Sequence, residues 1–208
     1  MYVRDLDKLL CYDVRQDRSR PFAPGPGAPA HPATATVPVT TAATTRPNAR
    51  DAVFVPTPHD VADRMLALAG VKKDDIVYDL GSGDGRILIA AAKTYGCHAV
   101  GYEVDPQLVR ESREEIDRQQ LGSLVTVEPA DLFTADLSKA SVVTLYVGRD
   151  VNRRLVPQLE KLKRGSRIVS NSFEIEGYAP DKTLDVKSSE DDTVHTLYLW
   201  VAPLKKKP

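Results

Sequence analysis

One run constrains this chain more than any other: Asp79-Leu80-Gly81-Ser82-Gly83-Asp84-Gly85, placed where a short β-prone stretch, 75–80, hands over to a helical one beginning at Arg86. Three glycines in five residues let the backbone adopt positive φ and let a ligand approach main-chain N–H groups at the start of a helix. Glu103 follows 22 positions after Gly81, at the end of the next predicted strand, 98–103. An acidic side chain there can accept both hydroxyls of a ribose. Turn, helix, strand and carboxylate together predict a nucleoside site in a doubly wound α/β sheet.

Charge narrows the nucleoside. A dinucleotide fingerprint counted from Gly81 needs a small residue at position 86, where this chain has Arg86. Asp79 and Asp84 bracket the turn and would repel a pyrophosphate. They suit S-adenosylmethionine (SAM), which lacks phosphate and carries a sulfonium and an ammonium. No Gly-Lys-Ser/Thr follows the glycines, so a P-loop is excluded.

The remaining pattern predicts one α/β domain. Thr57 is placed to cap a helix reaching Ala69, with Pro58 at its first position and Gly70 as its stop. Beyond it come strand 75–80, helix 86–95, strand 98–103, helix 106–121, strands 124–128 and 141–147, helix 151–163 and strand 166–173. Two last β-like runs, 183–187 and 193–202, read as an antiparallel hairpin. The fold class is therefore α/β, a Rossmann-like seven-stranded sheet, mostly parallel with a C-terminal antiparallel hairpin. The acidic triplet 190–192 reads as a solvated turn.

Residues 21–50 hold seven Pro, eight Ala and six Thr and no acid, too little apolar surface to offset ordering entropy, so residues 1–50 are expected to be a weakly structured arm and linker. The folded domain is expected over 51–204, with 205–208 as a basic tail. Net charge is −1, which gives no electrostatic footprint for a nucleic acid. Cys11 and Cys97 do not make a disulfide framework, and the four histidines form no metal-spaced set with them. Charged residues interrupt the first ten positions and no 18-residue apolar run occurs, so a cytoplasmic, membrane-free, monomeric protein is expected.

From Asp51 to Leu204 the chain resembles the class I, seven-β-strand SAM-dependent methyltransferases, and among them the small protein-lysine methyltransferases. The resemblance rests on Phe54-Val55-Pro56-Thr57-Pro58, on the run from Tyr78 to Ile87, and on Val143-Thr144-Leu145-Tyr146. It implies SAM as methyl donor and a protein with accessible lysines as acceptor. Gly81 and Gly83 would line the methionine part of SAM, with Asp79 near its amino group. Glu103 would hold the ribose, Asp131 the adenine amino group, and Thr57 the cofactor carboxylate. Tyr146, Asn171 and Glu174, at the carboxyl ends of strands four and five, would form the acceptor side. Many relatives carry Tyr at position 54 and His-Glu or His-Asp at 171–172, where this chain has Phe54 and Asn171-Ser172. Two alternatives remain open: a small-molecule or RNA methyltransferase on the same fold, and a catalytically silent SAM-binding protein.

Overall fold

A computed structural model describes residues 55–208; the expectations for residues 1–50, for Cys11 and for Phe54 fall outside them. In chain order the elements are α1 (His59–Ala69), β1 (Ile76–Leu80), α2 (Arg86–Tyr95), β2 (His98–Tyr102), α3 (Pro106–Arg118) and β3 (Val125–Glu128). There follow β4 (Val142–Leu145), α4 (Arg149–Leu159), β5 (Arg167–Asn171), β6 (Lys182–Lys187) and β7 (Val194–Val201). Short 3-10 turns occupy Leu132–Thr134 and Leu137–Lys139.

The seven strands form one sheet in the order β3-β2-β1-β4-β5-β7-β6. Strands β1 to β5 pair in parallel, and β7 runs antiparallel to both β5 and β6. The strand order reverses between β1 and β4, and such a switch point opens a crevice at the carboxyl ends of the two strands. The glycine-rich run lies there.

Strand alternation assigns the two faces of the sheet. Val77, Val142, Val169, Leu197 and Leu199 join one buried cluster with the apolar residues of α1, α2 and α3. Leu80, Val143, Leu145, Ile168 and Trp200 join a second with those of α4 and the 3-10 turns. Val61, Met65 and Leu66 of α1 are fully buried, each worth about 2 kcal/mol by area removed from water. Among the described residues no helix is long and apolar enough to cross a membrane.

Several element ends differ from expectation, each for a local reason. Helix α3 stops at Arg118 rather than 121, and Gln120 turns left-handed at φ +57°. Helix α4 starts earlier, after Gly148, and its expected last turn tightens into i to i−3 bonds from the Lys161 and Leu162 N–H groups. Strand β5 ends at Asn171, because Ser172 sits at φ +63°. The basic tail makes its own contacts: Lys205 pairs with Asp181 at 2.5 Å, Lys207 with Glu174 at 2.6 Å, and Lys206 bridges to Tyr178.

Candidate functional site

Gly81 follows the last residue of β1 at φ +79°, and its N–H bonds the Tyr102 carbonyl at 2.9 Å, holding the turn against β2. A β-carbon on Gly81 would lie 2.7 Å from Val147 Cγ1, so no side chain fits there. Gly101 of β2 faces the turn from below, where a β-carbon would meet Ser82 Oγ and Leu88 Cδ1 at 2.5 Å. The turn is therefore seated by absent side chains on both strands.

Glu103 secures the far side of the turn. One carboxylate oxygen accepts the Gly83 N–H at 2.9 Å, and the other accepts the N–H groups of Val104 at 2.8 Å and Asp105 at 2.9 Å. Arg86 fixes the near side. It forks onto Asp84 through Nε and Nη2, while Nη1 donates to the Thr57 carbonyl at 2.9 Å. Arg86 thus pins the segment before α1 beside the glycine run, the role that its misfit to a dinucleotide motif left unassigned.

Asp79 is the electrostatic anomaly. Its buried carboxylate accepts one hydrogen bond, from Thr144 Oγ1 at 2.6 Å. Burial pushes its pKa up to about 7, with Glu103 and Asp84 adding repulsion against the Thr144 bond. Beside it Ser82 Oγ is buried without a partner. A buried carboxylate with no counter-ion among the described residues, below a glycine-rich turn, fits a ligand that brings a positive charge. These residues fit the ammonium end of SAM.

Across the sheet, the pairing of Leu80 with Leu145 and of Leu145 with Ser170 places Gly81, Tyr146 and Asn171 in a row at the carboxyl edge. Tyr146 is half-buried and stacks on Phe173 with ring centroids 5.9 Å apart. Burial raises its pKa, and the Asp191 charge adds to the shift; Tyr146 therefore keeps its proton at neutral pH. Asn171 is fully buried. Its Oδ1 lies 2.9 Å from Ser172 Oγ and 3.2 Å from His195 Nδ1, and its Nδ2 has no partner.

Glu174 does not join this row. It pairs with Lys207 and acts on Tyr198, which packs on the α4 side of the sheet. Asp131 is exposed and accepts the Phe133 N–H at 2.9 Å, capping the first 3-10 turn. Thr57 is buried but caps nothing: the cap position of α1 is Pro58, with no side-chain cap of its own segment. The cap comes from 130 residues away, where Glu190 accepts the Asp60 N–H at 3.3 Å and bonds His59 Nδ1 at 3.2 Å. Asp60 returns the contact, accepting from Ser188 Oγ and from Ser189 N and Oγ.

The acidic triplet is the exposed turn expected, and its side chains also make contacts. Glu190 caps α1, Asp191 bonds His195 Nε2 at 3.0 Å and Asp192 pairs with Lys187 at 2.8 Å. Sequence reasoning passed over His195 and Asp191. The antiparallel pairing of β7 with β5 carries His195 toward the end of β5 at Asn171, and the predicted hairpin alone did not contain that pairing.

A family model for the ANTKMT methyltransferase domain matches residues 79–182. A protein-lysine N-methyltransferase of Saccharolobus islandicus is 43% identical over 150 residues, 71% of this chain and 92% of that protein. The adenine nucleotide translocase lysine N-methyltransferase of Mus musculus is 34% identical over 103 residues, 49% of this chain and 45% of that protein. Among solved structures, an RNA methyltransferase from Salinibacter ruber in complex with S-adenosyl-L-homocysteine is 45% identical with a TM-score of 0.68. The match covers 74% of this chain and 97% of that one.

Proposed function

The chain belongs to the ANTKMT methyltransferase-domain family and is a SAM-dependent methyltransferase, and on that premise we propose that its acceptor is the ε-amine of a protein lysine. SAM, when bound, supplies an electrophilic methyl group on its sulfonium. In this reading the buried Asp79 carboxylate takes the SAM ammonium, and the backbone around Gly81 and Gly83 lines the methionine part. Thr57 meets the SAM carboxylate, and the exposed oxygen of Asp131 left over from its cap meets the adenine amino group. Glu103 holds the ribose. Three of its roughly four lone-pair positions already serve backbone N–H groups, so holding both ribose hydroxyls means releasing the Gly83 N–H.

The observation that carries the acceptor assignment is the charge at Tyr146. Asp191 is joined to Asn171 through His195, and its charge adds to the upward shift at the Tyr146 hydroxyl. A negative field there attracts a lysine ammonium and repels a phosphodiester. Tyr146, which keeps its proton, is a wall and hydrogen-bond partner for the amine rather than its base. Methyl transfer from a sulfonium is an in-line displacement, so alignment of the amine and exclusion of water are the main demands on these residues. A lysine amine, with an ordinary pKa near 10.4, gains its neutral form by desolvation against the half-buried Tyr146.

Glu174 has a smaller part in this reading than Asn171, because Lys207 engages it. The catalytic unit is 51–204, working as a cytoplasmic monomer behind the Pro, Ala and Thr-rich arm. Methyl-tritiated SAM incubated with the purified chain and total lysate protein, followed by acid hydrolysis, tests the acceptor. Label recovered as methyl-lysine is the expected result; label confined to RNA or to small molecules overturns it.

A further inference from the structure

We propose that His195 and Asp191 are positioning residues for the acceptor amine, acting through Asn171. The inference rests on the lysine reading above and adds to it the device that decides which end of the Asn171 amide meets the substrate.

Three observations lead there. Asn171 closes β5 next to Tyr146, at the carboxyl edge where open α/β sheets take their ligands. It is fully buried, yet one end of its amide has no partner; buried polar groups are otherwise paired, and an orphan at a ligand edge is a group held for a ligand. The other end meets His195 Nδ1 at 3.2 Å and Ser172 Oγ at 2.9 Å, and His195 Nε2 meets Asp191 Oδ2 and Thr193 Oγ1, each at 3.0 Å. The chain Asp191, His195, Asn171 links three elements over a span that no local sequence motif encodes.

The chemistry of the chain sets a direction. Asp191 is held as a carboxylate by the Thr193 N–H and His195, which pull its pKa down against the effect of burial. A carboxylate only accepts, so Nε2 carries the hydrogen it donates, and in that Nε2–H tautomer Nδ1 is left with a lone pair. A lone pair at Nδ1 requires the amide N–H of Asn171 as its partner. Rotation of the amide about its last torsion meets that requirement: Nδ2 then donates to His195 Nδ1 and to Ser172 Oγ, and both amide hydrogens are used. The atom left over is the carbonyl oxygen. A carbonyl is what a lysine amine needs here, because accepting one N–H turns the nitrogen lone pair toward the methyl group. Asp191 thus selects the histidine tautomer, the tautomer selects the amide orientation, and the amide orients the nucleophile.

Two conservative variants separate this role from simple packing. His195→Asn places an amide oxygen where Nδ1 stood and keeps an acceptor for Asn171. His195→Gln places its amide where Nε2 stood, keeping the bond to Asp191 and losing the one to Asn171. With lysate protein as acceptor and saturating SAM, His195→Gln is expected to lower kcat 10- to 100-fold, and His195→Asn less than threefold. Both should bind SAM within twofold of wild type by calorimetry, which also shows that the fold is intact. Equal kcat for the two variants, or losses that follow the melting temperature, overturn the positioning role while leaving lysine methylation standing. If the wild-type chain labels RNA and no lysine, the acceptor reading falls and this inference falls with it.

Discussion

Asp75, just before β1, and Asp79, the next-to-last residue of β1, sit four residues apart in opposite surroundings. Asp75, at the amino edge of the sheet, accepts from Arg167 Nη2 at 2.6 Å, Ser141 Oγ at 2.7 Å and the Lys72 N–H at 2.7 Å. Arg167 in turn donates to the Ala69 carbonyl, so one ion pair ties the end of α1 to β1, β4 and β5. Burial resists ionisation of Asp75, but the Arg167, Ser141 and Lys72 bonds outweigh it and hold the pKa low. Asp79, at the carboxyl edge, is more deeply buried and accepts from one hydroxyl. A carboxylate satisfied by the fold is a structural part; one left unsatisfied by the fold is a binding site awaiting its counter-charge.

The two residues depend on pH in opposite senses. Asp75 has a lowered folded pKa, so its contribution is present above its unfolded value of 3.8 and is lost as pH falls below that. Asp79 has a raised folded pKa, so the stability linked to its protonated form is complete below 3.8 and is lost as pH rises through about 7. At pH 8 the ligand-free protein therefore carries a penalty at Asp79 that bound SAM removes.

Substitutions can break this contrast, and the largest effect is expected at the cradle above Asp79. Gly83→Arg fills the turn and should weaken SAM binding by more than about 1000-fold in calorimetry. A left-handed site at φ +54° adds about 1–2 kcal/mol of strain, short of unfolding the domain. Asp79→Asn should weaken SAM binding by about 100-fold, the scale of one charge-assisted pair lost from a buried site. The same variant should melt above wild type at pH 8 without ligand and lose that advantage at pH 5. Asp75→Asn separates the two effects: about 2 kcal/mol of stability lost in urea titration, because a half-buried Arg167 is left unpaired, with SAM affinity unchanged. The smallest effect belongs to Glu190→Gln, about 0.5–1 kcal/mol from a weakened cap on α1, seen as faster hydrogen exchange in the first turn.

The same contrast explains what the sequence made legible. Strand β1, the glycine turn, α2 and Glu103 follow one another along the chain, and their chemistry is local: positive φ, β-propensity and a carboxylate one strand away. Asp79 could be seen as an acid near a cofactor, whereas its lack of a partner could not, since that depends on Thr144 and on everything that fails to reach it. Thr57 looked like a cap on good local grounds, but Glu190 outcompeted it from the far end of the chain. Asn171 was legible as a strand end; His195 and Asp191 join it only through the antiparallel pairing of β5 with β7, whose register no local pattern reveals. Glu174 was misplaced because Ser172 turns the chain out of the strand and sends Glu174 to the side of Lys207.

The proposed role of Asp79, to meet the ammonium of SAM, is open to direct measurement. Calorimetric titration of SAM at pH 6.5, in two buffers of different ionisation enthalpy, measures the protons exchanged on binding. With a pKa of about 7 in the ligand-free chain, Asp79 is mostly protonated at that pH. The expected result is release of about half a proton or more per SAM, affinity that falls as the pH is lowered further, and loss of both effects in Asp79→Asn. Proton-neutral binding with the same affinity in wild type and Asp79→Asn would contradict it.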